Sequence, residues 1–257
     1  MTRTTHVSNR TSAGEVWHIA VEAPVEININ GEPLVVMMAT PDDLEELALG
    51  FARTEGILHS SAPMPAVNIT ETLEGTIVDI RAATSDIDGT AIRARRLEGR
   101  SGCGLCGVES LTSAVRRPGS TEPPGTSHIS DTAIERAFDE LLQHQPLNDL
   151  THTTHAAAWC QPDGTLLVAR EDVGRHNALD KVAGAILRLP HASSPGFVIL
   201  SSRISYEMVA KAVAIGATLV AGMSAPTSLA LQLAAQSDLE VACRDHASIV
   251  RLVGPGT

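Results

Sequence analysis

Two of the four cysteines, Cys103 and Cys106, stand three positions apart in Gly99-Arg100-Ser101-Gly102-Cys103-Gly104-Leu105-Cys106-Gly107. Glycine adopts backbone angles that other residues avoid, so Gly99, Gly102, Gly104 and Gly107 make the stretch pliable and let a second molecule approach the sulfurs. A nearby cation or helix N-terminus lowers a thiol pKa and so produces the reactive thiolate. Arg93, Arg95, Arg96 and Arg100 precede the pair, and residues 108–115 read as a short helix whose positive end would face it. The expected chemistry is nucleophilic sulfur chemistry, with half a zinc site or a thiol-disulfide couple as the alternatives. No second C-x-x-C completes a zinc set, because Cys160 and Cys243 are isolated in apolar surroundings and read as small core residues. No thioredoxin-like strand precedes Cys103 to support the redox couple.

A second constellation is Arg170-Glu171-Asp172-Val173-Gly174-Arg175-His176-Asn177-Ala178-Leu179-Asp180-Lys181, which leaves a strand at Glu171 and enters a helix near Asn177. In open α/β sheets the loops at the carboxyl ends of strands line the ligand crevice. The plainer reading is a solvated turn capped by Asn177. Two further strand ends, Ser201-Ser202-Arg203 and Ser224-Ala225-Pro226-Thr227, put hydroxyls at helix starts, where phosphates bind. Capping alone explains either one. If the strands are parallel, all three turns fall on one edge and point to a phosphorylated, nucleotide-like ligand, with Arg203 as its charge partner. His155 fails the zinc-deaminase test: H-x-E would need a glutamate where Ala157 stands, and the C-x-x-C precedes the histidine.

The elements that must position these groups fall into two sets. Residues 1–14 are polar, without the apolar core of a signal peptide, and are expected to be disordered. Residues 15–97 read as a small α+β domain. It has strands at 16–21, 25–29 and 34–38, with Asn30-Gly31 as the tight turn, and strands at 67–70 and 76–80. Its helix has Thr40 as N-cap, Pro41 in the first turn, Leu44, Leu47, Ala48 and Phe51 on one face, and Gly56 as the stop. Residues 98–127 form the cysteine loop and a Pro/Gly-rich linker.

From 128 to 257 helices alternate with strands, as in an α/β layered sheet. A helix carries Ile134, Phe138, Leu141 and Leu142 on one side; strands follow at 166–170, 197–200, 219–221 and 239–243, with helices at 177–189, 205–215 and 227–235. With Lys plus Arg at 19 against 30 acids, the net charge of −11 argues against nucleic-acid or membrane-surface binding. No apolar run is long enough to span a membrane, and the expected location is cytoplasmic.

On these residues the chain resembles the FdhD family, from about residue 15 onward. The resemblance rests on Asn30-Gly31, Asp43-Leu44-Glu45-Glu46-Leu47-Ala48-Leu49-Gly50-Phe51, Thr54-Glu55-Gly56-Ile57, Cys103-Gly104-Leu105-Cys106-Gly107, the run from Glu171 to Val182, Ser201-Ser202-Arg203 and Ser224-Ala225-Pro226-Thr227-Ser228-Leu229-Ala230. It implies a cytidine-deaminase-like layered α/β/α domain with a smaller N-terminal α+β domain, assembled as a homodimer.

The resemblance also implies a sulfurtransferase acting as a sulfur carrier. Persulfide sulfur would come from a cysteine desulfurase and pass to the molybdenum bis(molybdopterin guanine dinucleotide) cofactor that formate dehydrogenase needs, with no permanent metal. By position, Cys103 matches the persulfide cysteine and Cys106 its partner. The cofactor would lie at the strand ends, near Arg175, His176 and Arg203. The family's C-terminal cofactor segment corresponds to Ala242, Cys243, Arg244, Asp245, His246 and Ala247. There the family has Phe and Gly where this chain has Ala242 and Asp245. The rival reading is a chaperone that binds the cofactor without transferring sulfur.

Overall fold

A computed structural model describes residues 4–97, 129–189, 195–246 and 248–252. Cys103, Cys106, Ala247, the linker and the helix expected at 108–115 lie outside the described residues.

The chain starts with an antiparallel hairpin, β1 (His6–Arg10) and β2 (Val16–Ala20). This corrects the expectation of a disordered start, since a turn closed by Gly14 N–H to Thr11 C=O supplies β2 with a partner strand. A two-stranded hairpin is marginal on its own in water, and this one rests against a helix of the larger unit, described below.

Next comes a four-stranded sheet of order β4-β3-β6-β5, made by β3 (Ala23–Ile29), β4 (Glu32–Ala39), β5 (Ala66–Glu71) and β6 (Thr76–Arg81). Asn30 and Gly31 take φ of 53° and 88°, the left-handed pair that a tight hairpin turn needs. Asn30 also pins Ala82, donating from Nδ2 to its C=O and accepting its N–H. Helix α1 (Leu44–Thr54) starts later than expected. Asp43 occupies the cap position with no side-chain cap bond, and Thr40 caps nothing because its backbone and hydroxyl are taken up elsewhere. Gly56 ends α1 with φ 68°, as read. Helix α2 (Gly89–Leu97) follows.

The larger unit contains α3 (Asp131–Leu142), α4 (Pro146–Thr151), β7 (His155–Cys160), β8 (Leu166–Asp172), α5 (Arg175–Ile186), β9 (Phe197–Ile204), α6 (Tyr206–Ala214), β10 (Leu219–Pro226), α7 (Ser228–Gln236), β11 (Glu240–Asp245) and β12 (Ser248–Leu252). Its sheet runs β12-β11-β10-β9-β7-β8. Strands β8 to β11 point the same way and β7 and β12 oppose them, so the carboxyl ends of β8, β9, β10 and β11 share one edge.

Alternation along the strands assigns the two faces. Ala156, Ala158, Cys160, Phe197 and Ile199 pack beneath α3 with Ile134, Phe138 and Leu141, while Leu142 at the helix end is exposed. Ala157, Trp159, Val198 and Leu200 face α5, α6 and α7. Helix α5 lies between this sheet and α1 of the smaller unit and is buried from Asn177 to Ile186. At the crossing the two helices meet backbone to backbone. A Cβ built on Gly50 would stand 1.7 Å from the Asp180 C=O oxygen, and one on Gly184 would stand 2.0 Å from that of Glu46.

Candidate functional site

The run from Arg170 to Lys181 divides into a part that holds the fold and a part that faces the strand-end edge. Glu171 accepts the N–H groups of Leu147 and Asn148 at 2.8 and 2.7 Å, capping α4 from a distance, and takes the Thr154 hydroxyl as well. Asp172 is wholly buried; it accepts the N–H of Thr40 at 3.0 Å, that of Gly174 at 2.8 Å and the Asn177 amide, and lies 2.8 Å from Lys181 Nζ. Lys181 also donates to the C=O of Thr40, and Asn177 to that of Met38. Asn177 is therefore no surface cap. It joins the end of β4 to the start of α5.

Arg170 grips Glu46 of α1 with two hydrogen bonds, at 2.6 and 2.9 Å. Deeper in the seam, Asp180 accepts from Thr54 at 2.7 Å and from Lys211 at 2.8 and 3.0 Å. Burial alone would lower the Lys211 pKa, but Asp180 and Glu55 outweigh it and hold the ammonium above its ordinary value. Lys181 and Lys211 are the only lysines in the sequence, and both lie in this seam.

What remains of the run, Arg175 and His176, opens α5 at the shared edge. Gly174 stands at the cap position and gives no side-chain cap to the helix N-terminus. His155 opens β7 directly opposite Asp172 and, by alternation with Ala157, lies on the same side of the sheet. Its imidazole is pushed below the usual range, first by burial and then by the charges of Arg175 and His176, against the pull of Asp172. Arg175 Nε and His176 Nε2 are buried with no hydrogen-bond partner among the described residues. From α6, Glu207 Oε2 stands 3.7 Å from His176 Nε2 and accepts the Ser205 hydroxyl at 2.7 Å.

The His176 imidazole and the Ser205 hydroxyl together hold Glu207 down to about 2 despite its partial burial. A carboxyl depressed in the folded state stabilises the fold fully above its unfolded value, near 4.5, and loses that contribution as pH falls toward 2. Thermal melts from pH 6 to 2 should therefore show wild type losing more stability than Glu207→Gln. Equal losses in the two proteins would remove this role.

The other residues expected at the site lie elsewhere. Arg203 is exposed at the end of β9, beyond a register shift that breaks the alternation of Phe197 and Ile199. Ser201 and Ser202 belong to β9 rather than to a helix start. Ser201 Oγ accepts the Ala156 N–H, and Ser202 donates to the Arg203 C=O. Thr227 caps α7 as read, accepting the Ala230 N–H. Arg244 lies on the α3 side, 3.1 Å from Asp139 and over the Phe138 ring. Such a solvent-facing pair is worth at most about 1 kcal/mol, so Arg244 can exchange Asp139 for a ligand anion.

Ala242 is core, fully buried, and Cys243 is buried, so neither side chain offers a surface to a ligand. Asp245 and His246 are exposed. The sheet thus separates residues expected at one site, with His155, Arg175 and His176 on one side and Arg244 on the other. His155 and Glu207 were not expected there. The signal for His155 was its alternation with Ala157 and Trp159, whereas Ser205-Tyr206-Glu207 reads only as an ordinary helix start.

A mixed sheet with basic side chains at its carboxyl edge, beside a smaller sheet docked through α1, defines a two-unit α/β protein. The sequence matches the FdhD/NarQ family over residues 20–250, and the chain belongs to that family. It is 42% identical over 228 residues to the sulfur carrier protein FdhD of Bordetella parapertussis, covering 89% of this chain and 82% of the relative. With the sulfur carrier protein FdhD of Cupriavidus necator it shares 42% over 245 residues, covering 94% and 84%. A crystal structure from Desulfotalea psychrophila, assigned as a formate dehydrogenase accessory protein, superposes with a TM-score of 0.69 at 25% identity, covering 98% of this chain and 96% of the other.

Among the described residues no helix is long and apolar enough to cross a membrane, and no group of His, Cys, Asp and Glu is placed to hold a metal ion.

Proposed function

We propose that this chain is a sulfur carrier. It takes persulfide sulfur from a cysteine desulfurase on Cys103, aided by Cys106, and transfers it to the molybdenum bis(molybdopterin guanine dinucleotide) cofactor for formate dehydrogenase, working in the cytoplasm as a homodimer. The observation that carries this reading is the 42% identity, over most of the chain, to proteins named as sulfur carriers.

Cysteine chemistry elsewhere in the chain supports it. Burial, with Glu140 and Asp163 nearby, pushes the Cys160 thiol up to about 12, and burial with Asp245 raises Cys243. Neither is a ready nucleophile, and the sulfur-bearing role falls to Cys103 and Cys106. The phosphorylated halves of the cofactor suit the basic edge on the α5 side, where Arg175 Nε has no hydrogen-bond partner among the described residues. On the α3 side an anion would first have to displace Asp139 from Arg244. The strand order β8-β7-β9-β10-β11, with helices on both faces, supports the deaminase-like layering.

Mass spectrometry after incubation with a cysteine desulfurase and cysteine tests the reading. Wild type should gain one sulfur atom at Cys103, and Cys103→Ala should lose both the gain and the support of formate dehydrogenase. Full support by a Cys103→Ala/Cys106→Ala double variant would replace the carrier with a cofactor-binding chaperone.

A further inference from the structure

A cleft of about 560 Å³ opens where the hairpin and the two larger units meet, within the size range of small-ligand sites. The hairpin lends it Thr5 and His6, the β4–α1 turn lends Thr40, Asp42 and Asp43, and the larger unit lends the α3–α4 turn, α4 and β8 from Ala169 to Glu171. Among these lining residues the carboxylates of Asp42, Asp43 and Glu171 face one fixed cation, Arg170, whose guanidinium already grips Glu46. Glu171 is spent on the first N–H groups of α4 and the Thr154 hydroxyl. The two aspartates are only half spent. The Asp43 N–H takes Asp42 Oδ1 at 3.0 Å, and Arg170 Nε stands 3.3 Å from Asp43 Oδ2, which leaves Asp42 Oδ2 and Asp43 Oδ1 for another donor. Burial, with Asp42 and Glu46 nearby, holds the Asp43 carboxyl above its ordinary value against the pull of Arg170 and Lys181. The remaining walls are apolar or neutral. Pro146, Leu147 and Leu150 supply hydrocarbon, and His144 donates from Nδ1 to the Glu140 C=O at 2.9 Å, so Nε2 is the acceptor of the neutral ring.

We propose that this cleft binds an aliphatic primary ammonium, its charged head at the open oxygens of Asp42 and Asp43 and its methylene stem along Pro146, Leu147 and Leu150. A guanidinium fits less well, because it takes a carboxylate through both oxygens and neither aspartate has both to offer. A bare metal ion fits less well again, since among the described residues no group of His, Cys, Asp and Glu is placed to hold one. The amine comes from outside the chain. Lys181 and Lys211 are its only lysines and both are sealed in the seam, so the side chains of a second copy cannot supply the head. A free diamine and a lysine of a partner protein share this head and stem, and His144 Nε2 offers an acceptor for the second head of a diamine. Ammonium binding here does not depend on sulfur transfer at Cys103.

Calorimetric titration of the full chain at low salt, with the diamine cadaverine and separately with Nα-acetyl-lysine methylamide, tests the site. Wild type should bind at least one of them with a millimolar or tighter Kd. Asp42→Asn/Asp43→Asn should weaken that binding at least about tenfold, the cost of charge-assisted contacts, and asparagine tolerates the φ of 51° at position 43. Leu150→Lys, at an exposed position on the apolar wall, tethers a competing ammonium there and should also weaken it. Glu32→Gln/Glu74→Gln removes the same charge from exposed positions outside the cleft and should change the affinity less than about twofold, as screened distant charges do. In the unaltered protein, the His6 or His144 ring resonance followed by NMR should move as the probe is added. Tighter binding of cadaverine assigns a free diamine, whereas capped lysine binding at least as tightly, despite its single charge, assigns a lysine of a partner.

No binding of either probe at millimolar concentration, affinity unchanged in Asp42→Asn/Asp43→Asn, equal weakening by Glu32→Gln/Glu74→Gln, or two histidine resonances that stay still overturns the site.

Discussion

Gly184→Ala should cost about 3 kcal/mol or more, because the added methyl would sit 2.0 Å from the Glu46 C=O oxygen, where backbone rather than a flexible side chain must yield. For a chain of this size that lowers the melting temperature by roughly 6–12 °C. Gly50→Ala meets Asp180 from the other helix and should behave alike. Gly56→Ala is the contrast. That position has φ 68° and open space around it, so its cost is confined to the backbone, about 1 kcal/mol. Differential scanning calorimetry separates the cases. A Gly184→Ala protein that melts within 2 °C of wild type, on the same scale, would show that α1 and α5 do not approach at their backbones.

The second large effect is expected at the buried ion pair. Lys211→Met leaves the Asp180 carboxylate, 2% exposed, with the Thr54 hydroxyl as its remaining donor. Breaking such a pair from one side costs about 3–5 kcal/mol, while replacing both partners by apolar groups is often close to neutral. In chemical denaturation Lys211→Met should therefore be strongly destabilised, and Lys211→Met/Asp180→Leu should recover much of the loss. A single-variant cost below about 1 kcal/mol, the value of an exposed pair, would contradict the burial of this seam.

Local chemistry was legible in the sequence. The turn at Asn30-Gly31, the helix stop at Gly56 and the cap at Thr227 are each set by residues close by in sequence, and each forms in the structure as its residue types suggest. The elements that were missed draw on distant partners. Helix α4 has no capping side chain of its own and borrows Glu171 from β8, and the alanines of β7 have little strand preference until β8 and β9 flank them.

Thr40 was read as a cap because threonine beside Pro-Asp-Asp usually is one. Its actual partners, Asp172, Val173 and Lys181, lie more than 130 positions away. The same distance in sequence hid the division of the long polar run into a seam and an edge. Spacing placed Arg175 and His176 at a helix start, but nothing nearby announced that Asp172 and Lys181 would be withdrawn into the interior. Arg244 was grouped with them because it shares the sheet edge, and only its contacts with Asp139 and Phe138 of α3 assign it to the opposite face.

The two lysines have a consequence for how the protein reacts with its surroundings. Every other cationic side chain of fixed charge is arginine, so the only side-chain amines are sealed between the units, at 0% and 7% exposure. To an acylating reagent the described surface is blank at its side chains. Modification of either lysine marks a molecule whose two units have parted, even briefly. The chain thus carries a built-in chemical record of seam opening, with Lys181 reporting the contact to the end of β4 and Lys211 the contact to the end of α1.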